Sequence, residues 1–177
     1  MAKWVIDPDH SVAMFVIRHL MIANVHGHFN KIEGTIYFDP ANITLASVEA
    51  TIDVASICTG VKKRDDHLRS PDFFDVEKYP KILFKSMEVE KITGNNHFKL
   101  NSNLTIHGIT RPVTLEVEYA GPIKSPFGAT SLSFSATTKI NREDFSMPWN
   151  ETMEGGGVMV GRDVDITLDV EADLTTE

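Results

Sequence analysis

The chain has 177 residues, of which 42% are hydrophobic and 24% are charged, and its formal net charge is −8. A chain of this length buries roughly 70% of its unfolded surface when it folds as one unit, so we predict a single domain over residues 1–177. The acidic balance excludes nucleic acid as a partner and disfavours adhesion to an anionic membrane, because the one basic cluster, at 62–64, is followed directly by two aspartates.

The N-terminal segment has no basic region followed by a long apolar stretch. We therefore predict a cytoplasmic protein, or a periplasmic one if the chain is a trimmed mature form. The longest apolar run, residues 12–17, is too short to span a bilayer, so no stable membrane insertion is expected. Cys58 is the only cysteine, which excludes an intrachain disulfide.

Alternation of apolar and polar residues predicts eight strands, each with one buried face. The alternation is clearest near the C-terminus, where Val164, Ile166 and Leu168 are separated by acidic and hydroxyl side chains. The predicted strands cover residues 12–19, 34–39, 47–56, 82–89, 97–106, 112–119, 132–140 and 163–173.

Most of these strands are joined by short connections, such as the turn predicted at 94–96, but two connections are long. In the first, 59–80, residues 61–68 suit a short helix, and Ser70-Pro71 has the pattern of an N-cap followed by proline, which predicts a second helix. The second, 141–158, contains three consecutive glycines and is typical of a loop that covers or lines a mouth.

Short links between neighbouring strands favour an all-β, eight-stranded antiparallel up-and-down barrel over a sandwich. The interior of such a barrel is either filled by side chains or holds one small ligand. We favour a cavity, lined by apolar strand residues together with adaptable side chains from the loop at 147–159, which we expect to gate or line the mouth. The predicted ligand contacts are Phe15, Ile17, His19, Phe29, Phe38, Phe84, Leu100, Phe134, Met147, Trp149 and Met153.

The polar residues form no recognisable catalytic or metal motif. His19, His26 and His28 lie close in sequence, but no cysteine or carboxylate stands at a useful spacing, so we predict no metal there. No serine lies in a Gly-x-Ser-x-Gly elbow, and Cys58 has no activating signature. We interpret the acidic pairs at 65–66 and 143–144, each preceded by an arginine, as ion-paired surface or helix-capping groups.

With these segments identified, the sequence strongly resembles the YceI-like family of lipid-binding proteins from Trp4 to about Val170. The motifs that carry the resemblance are Trp4-x-x-Asp7-x-x-His10-Ser11, Phe15-x-Ile17-x-His19-Leu20, Gly27-x-Phe29, Thr59-Gly60, Arg64-Asp65-x-His67-Leu68-x-Ser70-x-Asp72-Phe73-Phe74-Asp75, Tyr79-Pro80-x-Ile82-x-Phe84-x-Ser86, the run 104–113 and Ile140-Asn141-Arg142-x-Asp144-Phe145.

The resemblance implies a lipocalin-like barrel that holds a long-chain lipid, such as a polyisoprenoid or an isoprenoid quinone, for transport, storage or sequestration. It implies no catalytic residues, and no cofactor besides the bound lipid is expected. Arg64, Asp65 and His67 are expected to tie the first long connection to the barrel. An enzyme acting on the head group of a bound lipid is the alternative, and the sequence leaves open whether the chain forms a homodimer.

Overall fold

The computed structural model describes residues 1–92, 94 and 96–175. One α-helix, α1 (Lys62–Arg69), and short 3-10 helices at Ile43–Leu45, Val54–Ser56 and Arg142–Phe145 accompany the strands in these residues. None of the helices that the structure describes is long and apolar enough to cross a bilayer. The strands are β1 (Ala2–His19), β2 (Ala23–Phe29), β3 (Ile32–Phe38), β4 (Ser47–Asp53), β5 (Ile57–Cys58), β6 (Lys81–Lys91), β7 (His97–Ile106), β8 (Ile109–Lys124), β9 (Thr130–Asn141) and β10 (Val160–Leu174).

The strands form a closed, eight-stranded antiparallel barrel, which confirms the predicted fold class. β3 pairs with the first half of β1 and β2 with the second half, so these two segments together make one bent strand of the wall. The sheet then continues through β4, β6, β7, β8 and β9 to β10. Pairing of β10 with β1 along most of its length closes the ring and leaves no open edge there.

Alternation along each strand separates the interior of the barrel from its surface. Val164, Ile166 and Leu168 of β10 face the interior, whereas Asp165 and Asp169 face outward. The outer carboxylates are paired with β9: Lys139 Nζ lies 3.4 Å from Asp165, and the Ser135 hydroxyl donates to Asp169 at 2.9 Å. The acidity of the chain therefore lies on the outside of the wall, while the inner face stays apolar.

The two ends of the barrel differ. Because the strands are antiparallel, both long connections and the turn at 20–22 lie at one end, which we call the mouth. At the other end, which we call the closed end, the Phe38 ring packs on Phe98, Tyr119 and Phe134 at centroid distances of 6.3, 4.8 and 5.2 Å. The indole N–H of Trp4 donates to the carbonyl of Phe38 at 3.1 Å and fixes this aromatic plug.

Several local features differ from the sequence prediction. The strand predicted at 47–56 ends at Asp53, where the 3-10 helix Val54–Ser56 begins. β1 begins at Ala2 rather than residue 12, and β2 was not predicted as a strand. β1 is interrupted by a register shift between Asp7 and Val12, which breaks the alternation that the prediction relied on. The second helix predicted at Ser70 is wrong: Ser70 is the C-cap of α1, and its hydroxyl donates to the carbonyl of His67 at 2.6 Å. The turn predicted at 94–96 falls between β6 and β7, but its Asn95 lies outside the described residues.

Candidate functional site

An apolar cavity of about 390 Å³ runs inside the barrel from the mouth to the aromatic plug. This volume falls within the roughly 300–1,000 Å³ of typical small-molecule sites. On β10 the lining runs from Val160 to Val170. At the usual strand rise and barrel tilt that stretch spans roughly 25 Å along the barrel axis. The cavity is thus long and narrow, a shape that suits an extended chain.

The structure brings together all of the predicted ligand contacts except one. Phe15, Ile17, His19, Phe29, Phe38, Phe84, Leu100, Phe134, Met147 and Trp149 line the cavity. They come from β1, β2, β3, β6, β7, β9 and the second long connection, so they are widely separated in sequence. Their common position follows from barrel closure, which directs every inward face toward one axis.

Met153 is the exception, and the structure places it outside the lining of the cavity. Residues 152–158 form a small hairpin in which Thr152 bridges to Val158 and the amide of Met153 donates to the carbonyl of Gly157. A Cβ on Gly157 would stand 2.7 Å from Met21 Sδ and 3.4 Å from Met153 Cε. Met153 therefore packs beside the turn at 20–22 on the rim of the mouth.

A glycine opposite an aromatic ring shapes the wall near the mouth. Phe15 on β1 pairs with Gly27 on β2, and a Cβ on Gly27 would stand 2.2 Å from Phe15 Cζ. The ring therefore lies flat over the glycine. Its centroid lies 5.7 Å from that of the Phe29 ring, which in turn lies 5.6 Å from the centroid of the Phe74 ring. These rings link the strand wall to the first long connection.

Polar side chains enter the lining almost only at the mouth. They are Arg18, His19, Arg64, His67 and Arg142, with Thr138 as an uncharged member on the wall. No aspartate or glutamate is found among the described residues that line the cavity. A bound molecule with one polar end would therefore place that end at the mouth, where the apolar wall ends and the polar lining side chains are basic.

Arg142 holds the second long connection in place. It is only 3% exposed, and its guanidinium donates to the carbonyls of Met147 (2.5 Å), Trp149 (2.9 Å), Val160 (3.2 Å) and Gly161 (2.7 Å). Burial lowers the pKa of Arg142, and the nearby Glu143 acts in the opposite direction. The connection predicted to gate or line the mouth is thus held at both ends by one side chain.

Asn150 adds a second attachment to the same connection, because its side-chain amide donates to the carbonyl of Val160 and its oxygen accepts from the Val160 amide. Met147 is 4% exposed and belongs to the hydrophobic core. Trp149 instead packs edge-on against His67 at 4.7 Å and against Phe73 at 5.3 Å. The two long connections therefore meet over the mouth through these rings.

The first long connection is stabilised mostly by contacts within itself. The buried carboxylate of Asp65 accepts from the amide and hydroxyl of Thr59 at 2.8 and 2.6 Å, and Arg64 donates to Thr59 as well. His67 lies 2.8 Å from Asp72. The link to the barrel wall that was expected from Arg64, Asp65 and His67 comes instead from Arg69, which donates to the carbonyls of Ala55 and Ile57.

The histidines near the start of the chain are separated by the barrel wall. His19 lines the cavity, whereas His26 and His28 do not. The only group with metal-ligand geometry in the part of the chain that the structure describes is elsewhere, at Asp7, His10 and Glu171, whose ligand atoms lie within 4.8 Å of one another. The sequence analysis did not find this group because Glu171 approaches Asp7 only through the β1–β10 pairing.

Sequence reasoning also missed lining residues from outside the strands. Phe73 and Phe74 lie in the first long connection and cover the mouth side of the cavity. Two adjacent phenylalanines between aspartates, in a segment without strand alternation, were the available signal. Arg18 was missed because its neighbours Ile17 and His19 were assigned to the inner face, and a strict alternation places Arg18 outside.

Comparison with known proteins agrees with this architecture. The family model described as YceI-like domain matches residues 4–172. A UPF0312 protein of Staphylococcus aureus strain N315 is 35% identical over 176 residues, which cover 99% of this chain and 99% of that protein.

The fold also matches solved structures, among them one from Burkholderia cenocepacia and one from Saccharophagus degradans. The crystal structure of Burkholderia cenocepacia BcnA superposes with a TM-score of 0.82 at 27% identity and covers 94% of this chain and 98% of that one. A polyisoprenoid binding domain from Saccharophagus degradans, implicated in plant cell wall breakdown, superposes with a TM-score of 0.72 at 14% identity over 99% of this chain and 100% of that one. At that identity the second likeness concerns the fold alone.

Proposed function

This chain belongs to the YceI-like family, and on that premise we propose that it binds a long-chain apolar lipid inside its barrel. The observation that carries the proposal is the cavity itself: its wall is apolar along its length, and its charged groups lie at one end. An extended hydrocarbon buried there gains roughly 25 cal/mol for each Å² removed from water.

The ligand class that fits this geometry best is a polyisoprenoid or an isoprenoid quinone, with its tail toward Phe38 and its polar end near Arg64 and His67. The polyisoprenoid-binding domain of Saccharophagus degradans supports the same class, since it has the same fold. Transport, storage and sequestration of such a lipid all require the tail to be shielded from water, and we propose one of these roles for the chain.

Binding rather than catalysis is the function that the mouth supports. The one hydroxyl among the described lining residues is that of Thr138, and it donates to the carbonyl of Thr114 at 2.8 Å. The guanidinium of Arg142 is occupied by carbonyls. The His67–Asp72 pair has the geometry of a base and its orienting group, yet no nucleophile among the described lining residues stands beside it.

The test is to purify the full chain from cells without detergent, extract it with organic solvent and identify the co-purified molecules by mass spectrometry. Leu168→Trp fills the cavity from β10, and Thr167→Trp adds the same indole on the exposed face of that strand. We expect the wild type and Thr167→Trp to carry a long-chain lipid in stoichiometric amount, and Leu168→Trp to carry little. Absence of lipid from the wild type, together with failure of the delipidated protein to bind a polyprenol or a menaquinone, would contradict the proposal.

A further inference from the structure

Three consecutive large apolar side chains are exposed beside the mouth. They form the turn between β1 and β2, and their exposed fractions are 38% for Leu20, 61% for Met21 and 80% for Ile22. Single exposed apolar residues are ordinary on a protein surface, but a contiguous group marks a contact with another phase or molecule. Nothing else in the described part of the chain covers Ile22.

The backbone holds this turn in an outward position. Leu20 and Met21 both have positive φ angles, 52° and 62°, which residues with a side chain adopt rarely. The amide of Leu20 donates to the carbonyl of Met159 at 2.8 Å, and the amide of Ile22 donates to the carbonyl of His19 at 3.2 Å. The turn is therefore anchored to the second long connection rather than free to fold its side chains inward.

The turn is continuous with the entrance of the cavity. His19 and Met159, the residues that anchor it, both line the cavity. Met21 and Met153 meet at Gly157, so the hairpin at 152–158 extends the apolar surface. We call Leu20, Met21, Ile22 and Met153 the apolar rim. A lipid that leaves the cavity at this end passes the rim before it reaches water.

The charge around the turn suits a membrane surface better than the charge of the whole chain does. The chain has a formal net charge of −8, but residues 18–28 contain no carboxylate and include Arg18, His19, His26 and His28. Lys63, at the start of α1, is exposed at the same end, whereas the neighbouring Lys62 is paired with Asp66 at 2.6 Å. Glu151 and Glu154 are exposed beside the same turn, and their negative charge weakens the attraction to anionic lipid. Insertion of apolar side chains is therefore expected to supply most of the free energy of membrane binding.

We propose that the apolar rim inserts into the surface of a lipid bilayer and brings the mouth to the membrane, so that a lipid moves between bilayer and cavity without crossing water. This inference rests on the proposed lipid-binding function. A convex turn of flexible apolar side chains has no groove for a peptide, and it suits a fluid hydrocarbon phase. The four side chains of the rim insert only a small area, so the contact is reversible and differs from stable membrane insertion.

The test compares two triple variants of the full chain in flotation with phosphatidylcholine vesicles, with and without phosphatidylglycerol. The rim variant is Leu20→Ser, Met21→Ser and Ile22→Ser. The matched control is Leu45→Ser, Ile123→Ser and Phe127→Ser, which removes three side chains that are 67%, 70% and 98% exposed at the closed end. We expect vesicle binding to fall on the order of tenfold or more for the rim variant and to stay unchanged for the control.

Equal flotation of the rim variant and the wild type would overturn the proposal, and so would an equal loss in the control. If sedimentation instead shows that wild-type copies associate and the rim variant is monomeric, the rim is an interface between copies and the proposal fails. Ile22→Ser alone serves as a second variant if the triple variant melts at a lower temperature than the control.

Lipid transfer separates this inference from the proposed function. The rim variant is expected to keep the co-purified lipid but to exchange it with vesicles more slowly than the control does. A wild type that floats yet carries and binds no lipid would contradict the proposed function and leave docking standing. A wild type that carries lipid but does not float would contradict docking alone.

Discussion

Among the described residues, Arg142 is the one whose side chain bonds to the most backbone groups. Its buried guanidinium satisfies four carbonyls of the second long connection and β10. Arg142→Met would leave those acceptors unpaired, and each buried unpaired group costs roughly 1–3 kcal/mol, although partial hydration of the loop reduces the sum. We expect urea denaturation to show a loss of about 3 kcal/mol or more. Arg162→Met removes an exposed arginine near Glu143 and should change stability by less than about 0.5 kcal/mol.

Substitution by alanine is expected to affect lipid binding at Gly27 and stability at Gly34. At Gly27 an added Cβ meets the far end of the Phe15 ring, which has the cavity beside it and moves inward. Gly27→Ala should therefore weaken lipid binding with little effect on the melting temperature. At Gly34 the added Cβ meets the carbonyl of Glu49 at 2.5 Å and Ala50 Cα at 2.9 Å. Gly34→Ala should lower the melting temperature instead, because backbone has to shift; equal behaviour of the two variants in both assays would contradict this.

The Asp7–His10 pair predicts how stability depends on pH. The hydrogen bond between them, 2.7 Å long, raises the pKa of His10 above its ordinary 6.5 and lowers the pKa of Asp7 below 3.8. The contribution of His10 is complete below pH 6.5 and is lost as pH rises through its native pKa. That of Asp7 is present above pH 3.8 and is lost as pH falls through its native pKa.

The pair should therefore stabilise the fold most between these two limits. We expect the difference in unfolding midpoint between the wild type and His10→Gln to be larger near about pH 5.5 than near about pH 8.5. Because both groups are near the surface, added salt should reduce the difference. A constant difference across this range would show that the pair contributes no pH-dependent stability.

At the scale of elements, how well a segment was predicted depends on whether one local pattern determines it. β10 was predicted because interior and exterior positions alternate without interruption. The first half of β1 was not, because the bulge between Asp7 and Val12 breaks the period, and pairing with β3 and β10 rather than a local pattern determines this part of the strand. The Ser11 hydroxyl bridges the amide and the carbonyl of Glu171 at this bulge, a contact across 160 residues that no local pattern reveals.

The candidate site divides in the same way. The lining residues on strands could be predicted from alternation and from closure of the barrel. The roles of Arg142 and Met153 could not, because they depend on the conformation of the irregular second long connection. The arginine before an acidic pair suggested a surface ion pair. In the structure Arg142 is buried and donates to backbone carbonyls, and Glu143 is paired with Arg162 instead. Irregular loops are determined by such long-range contacts rather than by propensity.

The second long connection yields a prediction that separates packing from gating. Met147 is part of the core, so Met147→Ser should lower stability by roughly 2–4 kcal/mol. Trp149 bridges to His67 and Phe73 over the mouth, and Trp149→Ser should mainly speed the loss of bound lipid. Dissociation of a fluorescent lipid and thermal melting, measured on each variant, test this division. If Trp149→Ser releases lipid no faster than the wild type, the connection lines the mouth without gating it.

At the scale of the whole molecule, stability is distributed unevenly along the barrel axis. The closed end is filled by Trp4, Phe38, Phe98, Leu132 and Phe134, all nearly inaccessible to solvent. The centre and the mouth surround a cavity, so their inner side chains lack packing partners when no ligand is present. The fold thus places its rigid core at one end and leaves the other dependent on what occupies the cavity.

This asymmetry predicts where a ligand acts on the protein. Hydrogen exchange of the delipidated chain should be slow in β7 and β8 near the plug and faster in residues 150–158 and in α1, because few of their side chains are buried and local opening there exposes little packed surface. Adding a menaquinone or a polyprenol should slow exchange mainly at the mouth and raise the melting temperature in proportion to the logarithm of free ligand over its dissociation constant. Leu168→Trp, whose indole occupies the cavity, should show the slower mouth exchange without ligand and no further change when ligand is added. Uniform slowing along the whole barrel would mean instead that the ligand stabilises only against global unfolding and that the mouth is no less stable than the plug.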